Sequence, residues 1–317
     1  MNAAPIEVDG LCKRYGDNLA VDGVSFRVEP GEVYALLGEN GAGKTTTVEI
    51  LEGFRPSTSG DVRVLDVDPA TGGRAFRDRI GIVLQSSGVE HEFSVREVLG
   101  LYGSAYRNRR SPDELVALVG LEDKIDDRVG SLSGGQQRRI DLALGLVGNP
   151  ELLFLDEPTT GFDPAARRRF WELIESLAEQ GTTVLLTTHY LDEAEHLADR
   201  VGVLSRGRLI AEGSPSELKE RTTGTSISFL APASVHRSEM AATFGALLGA
   251  KPRISGRLVE ATVDQPTVAV HRLAGWALDA GIELESLSVS RATLEDVYLG
   301  LTERPGETSA ETDEGAA

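Results

Sequence analysis

The chain has 317 residues, of which 40% are hydrophobic and 26% charged, and it carries a formal net charge of −18. Its length suits two domains with ordinary apolar cores, and a surface of that sign repels nucleic acid and anionic lipid headgroups outside any local basic patch. The single cysteine, Cys12, excludes an intrachain disulfide and a cysteine zinc site, and no apolar run approaches the roughly 20 residues of a membrane-spanning helix.

The first nine residues lack the basic region and apolar stretch of a signal peptide. Strand character runs over residues 6–15 and 24–29, around the turn cluster Gly16-Asp17-Asn18. Pro30-Gly31-Glu32 turns the chain into residues 33–37, a short apolar run that reads as a buried strand. Next come Gly38-Glu39-Asn40-Gly41-Ala42-Gly43-Lys44-Thr45-Thr46 and a helical pattern over residues 47–52. Residues 53–60 form a Pro/Ser/Gly loop; residues 61–66 and 79–84 read as strands, the second ending at Gln85.

From Ser94 the pattern turns helical: Ser94 and Glu97 have capping-box spacing, Pro112 opens a second helix, and a third begins near Gly135. This block, about residues 86–149, reads as a helical insert between strands of one sheet. Residues 151–155 and 183–188 are apolar strands, residues 165–180 an amphipathic helix ended by Gly181, and residues 191–198 a short acidic helix. Ser205-Arg206-Gly207, between two apolar runs, is a hairpin signal. Such alternation predicts an α/β fold with a largely parallel sheet covered on both faces. Gly213-Ser214-Pro215 marks a boundary, and the first domain is placed at residues 1–218. Residues 219–302 read as a small α/β unit whose βαββαβ order is ferredoxin-like, closed by a terminal helix. Residues 303–317, with almost no apolar content, read as a disordered acidic tail.

Gly38, Gly43, Lys44 and Thr45 meet the pattern G-x-x-x-x-G-K-S/T between a strand and a helix, the setting a phosphate loop requires. Its glycines let the backbone turn sharply and approach a polyphosphate, and the N–H groups and dipole of the following helix face the anion. Lys44 then reaches the β- and γ-phosphates and the Thr45 hydroxyl ligates Mg²⁺. A second strand delivers Asp156 and Glu157 at its C-terminal end, where open α/β sheets bind ligands. Alone, two acids can simply end a strand in solvent. Behind a phosphate loop, Asp156 orients Mg²⁺ and Glu157 polarises an attacking water as general base. Ser133, Gly134 and Gly135 precede a helix, so they form either an N-cap or a second anion seat.

Leu132-Ser133-Gly134-Gly135-Gln136 matches the signature of ABC ATPases, and with the phosphate loop and the acidic strand end in correct order the chain resembles that family over about residues 6–218. The resemblance implies a P-loop NTPase fold, a RecA-like mixed sheet with a helical insert. It places Tyr15 on the adenine, residues 38–46 on the phosphates, Gln85 as glutamine-loop contact to Mg²⁺ and the γ-phosphate, Asp163 in the D-loop and His189 as the switch histidine. Phe162 stands where leucine is common. In that family Ser133, Gly134, Gly135 and Gln136 bind the γ-phosphate held by the opposite subunit, so the resemblance implies a homodimer, or a paired cassette, closing on ATP and Mg²⁺. A chain of this kind without a span implies a separate transmembrane permease at the cytoplasmic face of the cell membrane, docked on the helical insert and Gln85 region. Residues 293–302 resemble the C-terminal element of ABC-2-type, drug-resistance-like exporter ATPases, which implies export of a drug, lipid or other hydrophobic solute. Two rival readings stay open: an importer ATPase, and an ABC protein of translation or DNA repair, against which the acidic surface counts.

Overall fold

The computed structural model describes residues 4–83, 91–221, 225–232, 235–291 and 293–302, so Gln85 and the tail lie outside the described residues. The chain divides into two compact units, Met1–Pro215 and Ser216–Ala317. In chain order the first holds β1 (Ile6–Tyr15), β2 (Asn18–Val28), β3 (Val33–Leu37), α1 (Lys44–Leu51), β4 (Ser59–Val64), α2 (Gly73–Arg77), β5 (Ile80–Val83) and the helices α3 (Val95–Gly103), α4 (Pro112–Leu118) and α5 (Gly134–Leu146). It continues through β6 (Leu152–Asp156), α6 (Pro164–Glu179), β7 (Thr183–Thr188), α7 (Leu191–Leu197), β8 (Arg200–Ser205) and β9 (Arg208–Gly213), and α8 (Pro215–Arg221) follows.

Six strands form one sheet in the order β5-β6-β7-β3-β8-β9, parallel except for the β8–β9 hairpin. The hairpin turns through Arg206 and Gly207, both at positive φ (50° and 80°), the two-residue loop whose twist suits antiparallel strands. Every residue of β3 and β7 is buried, as are the first four of β6, because helices and the second sheet cover both faces. That second sheet is antiparallel, β2-β1-β4, and shares a core with the first: Phe26 stacks on Tyr34 with ring centroids 5.1 Å apart. Parallel register brings the C-terminal ends of β3, β6 and β7 to one edge, with Leu37 opposite Thr188 and Asp156 opposite Thr187. The phosphate loop, Glu157 and His189 all leave the sheet there.

Local chemistry explains the helix starts. Ser94, Ser111 and Ser133 each cap a helix in a reciprocal box with Glu97, Glu114 and Gln136. Two features depart from the sequence reading. β2 begins at Asn18, already paired with Tyr15, so Gly16 and Asp17 make the whole turn. α2, five residues that bury only Phe76, has too short an apolar pattern to register.

The second unit contains β10 (Thr225–Leu230), α9 (Arg237–Leu248), β11 (Arg253–Ser255), β12 (Leu258–Val263), α10 (Pro266–Asp279), β13 (Glu285–Arg291) and α11 (Leu294–Thr302). Its sheet is antiparallel in the order β11-β12-β10-β13, the arrangement of a ferredoxin-like βαββαβ unit. α9 and α10 cover one face, where Phe244 meets Phe229 and Trp276 edge-on at 5.0 and 5.6 Å. Among the described residues no helix is long and apolar enough to cross a membrane.

Candidate functional site

The loop after β3 is shaped by two glycines that admit no side chain. A Cβ on Gly38 would lie 2.5 Å from the Leu204 carbonyl oxygen, and one on Gly43 2.7 Å from that of Ala20. Gly43 also sits at φ 106°, open to glycine alone in practice, and α1 starts behind it with no side-chain cap. The first-turn N–H groups of α1 therefore have no intrahelical acceptor and no capping oxygen. Lys44 is buried, and its Nζ donates to the carbonyls of Gly38 at 2.5 Å and Glu39 at 3.2 Å. Burial pulls its pKa below the ordinary lysine range, against the opposing pull of Glu157, Asp156 and Glu39.

A cleft of about 440 Å³ opens over this loop. Glu39, Asn40, Gly41, Gly43, Lys44, Thr45, Thr46, Tyr15 and Glu157 all line it, while Gly38 and Ala42 lie behind it as buried supports. Tyr15 ends β1 at 40% exposure, and its ring centroid has Lys13 Nζ at 5.1 Å and the Arg55 guanidinium carbon at 5.9 Å.

The two acids are held by β7. Thr187 Oγ1 donates to Asp156 Oδ1 at 2.5 Å, and the Glu157 N–H donates to the Thr187 carbonyl at 3.1 Å and hydroxyl at 3.2 Å. Those bonds pin Glu157 at φ 44°, a strained value for a side-chain-bearing residue. Its carboxylate then faces, among other groups, Lys44 Nζ at 3.9 Å, His189 Nδ1 at 3.1 Å and Thr160 Oγ1 at 3.5 Å. The Thr45 hydroxyl and Asp156 carboxylate are hard oxygen donors of the kind Mg²⁺ takes. Among the described residues no group of three or more His, Cys, Asp or Glu could hold a metal. The donor set thus fits a Mg²⁺ that arrives with phosphate oxygens, and not a metal held by protein alone.

The remaining sequence candidates stand elsewhere. Ser133 and Gln136 box the start of α5, Gly134 and Gly135 form its first turn, and none of the four lines the cleft. Asp163 caps α6, its Oδ1 accepting from Ala165 and Ala166 N–H at 2.8 Å each, and those bonds hold its pKa below the usual carboxylate range. Sequence reasoning missed Thr187 and Arg138. Arg138 of α5 is buried and donates to the Pro158 carbonyl at 3.1 Å and the Asp156 carbonyl at 3.3 Å, tying the signature helix to the acid-bearing strand. Its spacing one turn before the buried Leu142 was the available signal.

Comparison with known proteins adds a consistent picture. The family model described as ABC transporter matches residues 21–160, and one described as the C-terminal domain of ABC transporter domain-containing protein-like chains matches residues 225–293. The chain is 41% identical over 302 residues to the daunorubicin resistance ATP-binding protein DrrA3 of Streptomyces coeruleorubidus, covering 94% of this chain and 95% of that one. It is also 41% identical over 310 residues to the Nod factor export ATP-binding protein I of Burkholderia thailandensis, covering 96% and 99%. Among solved structures, a dimeric ATP-binding cassette in a post-hydrolysis state with ADP and phosphate is similar at TM-score 0.60 and 25% identity, covering 66% of this chain and 98% of that chain.

Proposed function

The chain belongs to the ATP-binding subunits of ABC transporters and is an ATP hydrolase of that type, and we propose that it powers export of a drug, lipid or other hydrophobic solute through a separate transmembrane permease. The observation that carries the catalytic part is the convergence of Lys44 and His189 on the Glu157 carboxylate at the mouth of the phosphate loop. In this reading the loop amides and Lys44 hold the triphosphate, and Tyr15 stacks on the base. Thr45, Asp156 and Gln85 hold Mg²⁺, which when bound neutralises charge on the phosphate oxygens. Glu157 takes the proton of the attacking water, and His189, held by the same carboxylate, stands beside the γ-phosphate.

Two copies complete the site. Ser133, Gly134, Gly135 and Gln136 of each contact the γ-phosphate in the other, and Asp163 lies at the same seam. The pair closes on ATP and opens after hydrolysis, a two-state switch biased by ligand. The helical insert, where Leu101 and Tyr102 of α3 are exposed at 58% and 46%, supplies the docking surface for the permease and holds the protein peripherally at the cytoplasmic face of the membrane. The export assignment leans on the DrrA3 and Nod factor export relatives.

The test is MgATP hydrolysis by the purified chain and by Glu157→Gln. Expected are turnover that rises cooperatively with ATP and a Gln variant that accumulates as an ATP-bound dimer in light scattering. Unchanged turnover in the variant would remove the assigned role of Glu157. Outward movement of solute in vesicles holding chain and permease tests the export reading, and inward movement overturns it.

A further inference from the structure

Glu193 of α7 is fully buried, and both its carboxyl oxygens lack a hydrogen-bond partner. Among the described residues three other buried side-chain atoms are in the same condition: Thr159 Oγ1, Trp171 Nε1 and Arg167 Nε, the last two both on α6. They are not scattered. Thr159, Thr188 and Trp171 each present a donor to the Glu193 carboxyl, and the Thr188 hydroxyl also reaches the Tyr190 carbonyl, 3.5 Å away. Buried polar atoms are nearly always paired, so the open Thr159 and Trp171 donors and the weakly engaged Thr188 hydroxyl around one carboxyl mark a network caught short of its bonded geometry.

The three donors come from three different parts of the candidate site. Thr159 lies two residues after Glu157, on the segment leading to Asp163. Thr188 is the last residue of β7 and directly precedes His189. Trp171 belongs to α6, which Asp163 caps. α6 and α7 are themselves clasped together: Arg167 bonds Asp192 at 2.8 Å, and the Trp171 and His196 rings lie 4.5 Å apart. The Glu193–Trp171 side of the ring is therefore fixed, and Thr159 and Thr188 are the members on site segments.

We propose that Glu193 is a positioning residue: it draws the Thr159 and Thr188 hydroxyls onto one buried carboxyl, and so sets the separation of Glu157 from His189 for hydrolysis. It touches no substrate. Closing the ring moves the two segments that flank the attacking water and the γ-phosphate, and it does so from behind the cleft. The inference rests on the ATPase reading of that cleft.

The experiment compares the full-length chain with Glu193→Gln and Glu193→Ala. Gln keeps the shape and one acceptor oxygen but loses the second acceptor. Expected is a fall in kcat of roughly tenfold for Gln and about a hundredfold for Ala, with KM and MgADP affinity within about twofold of the parent. A kcat for Gln within about twofold of the parent overturns the proposal, and so does a loss of kcat that merely follows lost nucleotide affinity and a lowered Tm. If Ala does not fold, the Gln variant alone decides. If the parent itself fails to hydrolyse ATP, the functional reading falls and hydrogen exchange still judges Glu193. MgATP should then protect residues 157–163 and 188–191 together in the parent and not in Glu193→Gln. Equal protection in both chains overturns the positioning role.

Discussion

Two helices of the first unit begin beside glycines, and they begin in opposite ways. α1 is entered through Gly43 in a left-handed conformation with no side-chain cap, so its first N–H groups stand open over the cleft. α5 is entered through Ser133, whose N–H donates to Gln136 Oε1 at 2.9 Å and whose Oγ accepts from the Gln136 N–H at 3.4 Å. Both ends carry the same dipole and the same unmet donors in principle. One is a standing anion seat; the other has engaged its terminal groups with itself. On the reading proposed above, α1 holds phosphate in a lone chain, and α5, its first turn boxed, serves a neighbour's phosphate through a Ser133 hydroxyl that the box engages only at 3.4 Å.

The largest test of that difference sets Lys44→Ala against Ser133→Ala. Removing the buried cation beside Glu157 should lower kcat/KM for MgATP by about 10³-fold, roughly 4 kcal/mol of transition-state stabilisation, and weaken binding as well. Ser133→Ala should leave ATP binding by the isolated chain intact and lower only the cooperative turnover. Steady-state hydrolysis with parallel equilibrium binding checks both, and equal binding loss in the two variants would erase the distinction.

The same two helices also differ in how they handle buried charge. Arg138 in α5 is buried but meets the carbonyls of Pro158 and Asp156 and the Asp141 carboxylate 3.6 Å away, so it has acceptors for its charge. Glu52, just past α1, is buried with Asp156 and Glu49 nearby, and burial pushes its carboxyl up to about 8 from 4.5. Between pH 4.5 and 8 the folded chain therefore keeps a proton that the unfolded chain releases. Stability is full below that window and falls as pH rises through it. Glu52→Gln should remove this slope, gaining about 2–4 kcal/mol over the parent above pH 8 and little below pH 4.5, read from urea unfolding across pH.

Such buried charges were the least legible part of the chain. The phosphate loop, β3, β6 and β7 could be read directly, because a strand buried on both faces is a continuous apolar run. The Ser94–Glu97 capping box was as clear, since it is local in sequence, and Ser133 could be read as an N-cap. Glu193 was hidden inside Leu191-Asp192-Glu193-Ala194-Glu195, where helix periodicity reads as an acidic surface while the fold turns one acid inward. Arg138 and Thr187 were hidden for a related reason: their partners lie 18 and 31 residues away, and only strand register and helix packing bring them together. Composition speaks to local pattern, and polar side chains that act across the fold leave little local trace.

A smaller effect separates the glycines. Gly43→Ala forces a side chain into a left-handed backbone and against the Ala20 carbonyl, which should destabilise the chain by about 1–3 kcal/mol. At Gly135 an added Cβ meets nothing within 4 Å, so Gly135→Ala should hold Tm within about 2 °C while reducing turnover of the paired form. Thermal unfolding and hydrolysis measured on the same preparations give both numbers. A destabilised Gly135→Ala would place that glycine in the service of the fold and not of the partner.

The smallest effect decides how tightly α5 is closed. Loss of an N-cap hydroxyl ordinarily removes about 0.5–2 kcal/mol, but the Ser133 hydroxyl accepts at 3.4 Å, near the outer limit of a useful bond. The shorter half of the box runs from the Ser133 N–H to Gln136 and survives replacement of the side chain. Ser133→Ala should therefore cost only about 0.5 kcal/mol in urea unfolding, while Gln136→Ala, which removes the 2.9 Å bond, should cost about 1 kcal/mol. That order leaves the serine hydroxyl loosely held and available to a phosphate, with the glutamine keeping the helix start in shape. The reverse order would mean that the hydroxyl is committed to its own helix, and that a neighbouring nucleotide must win it away at the full strength of a cap.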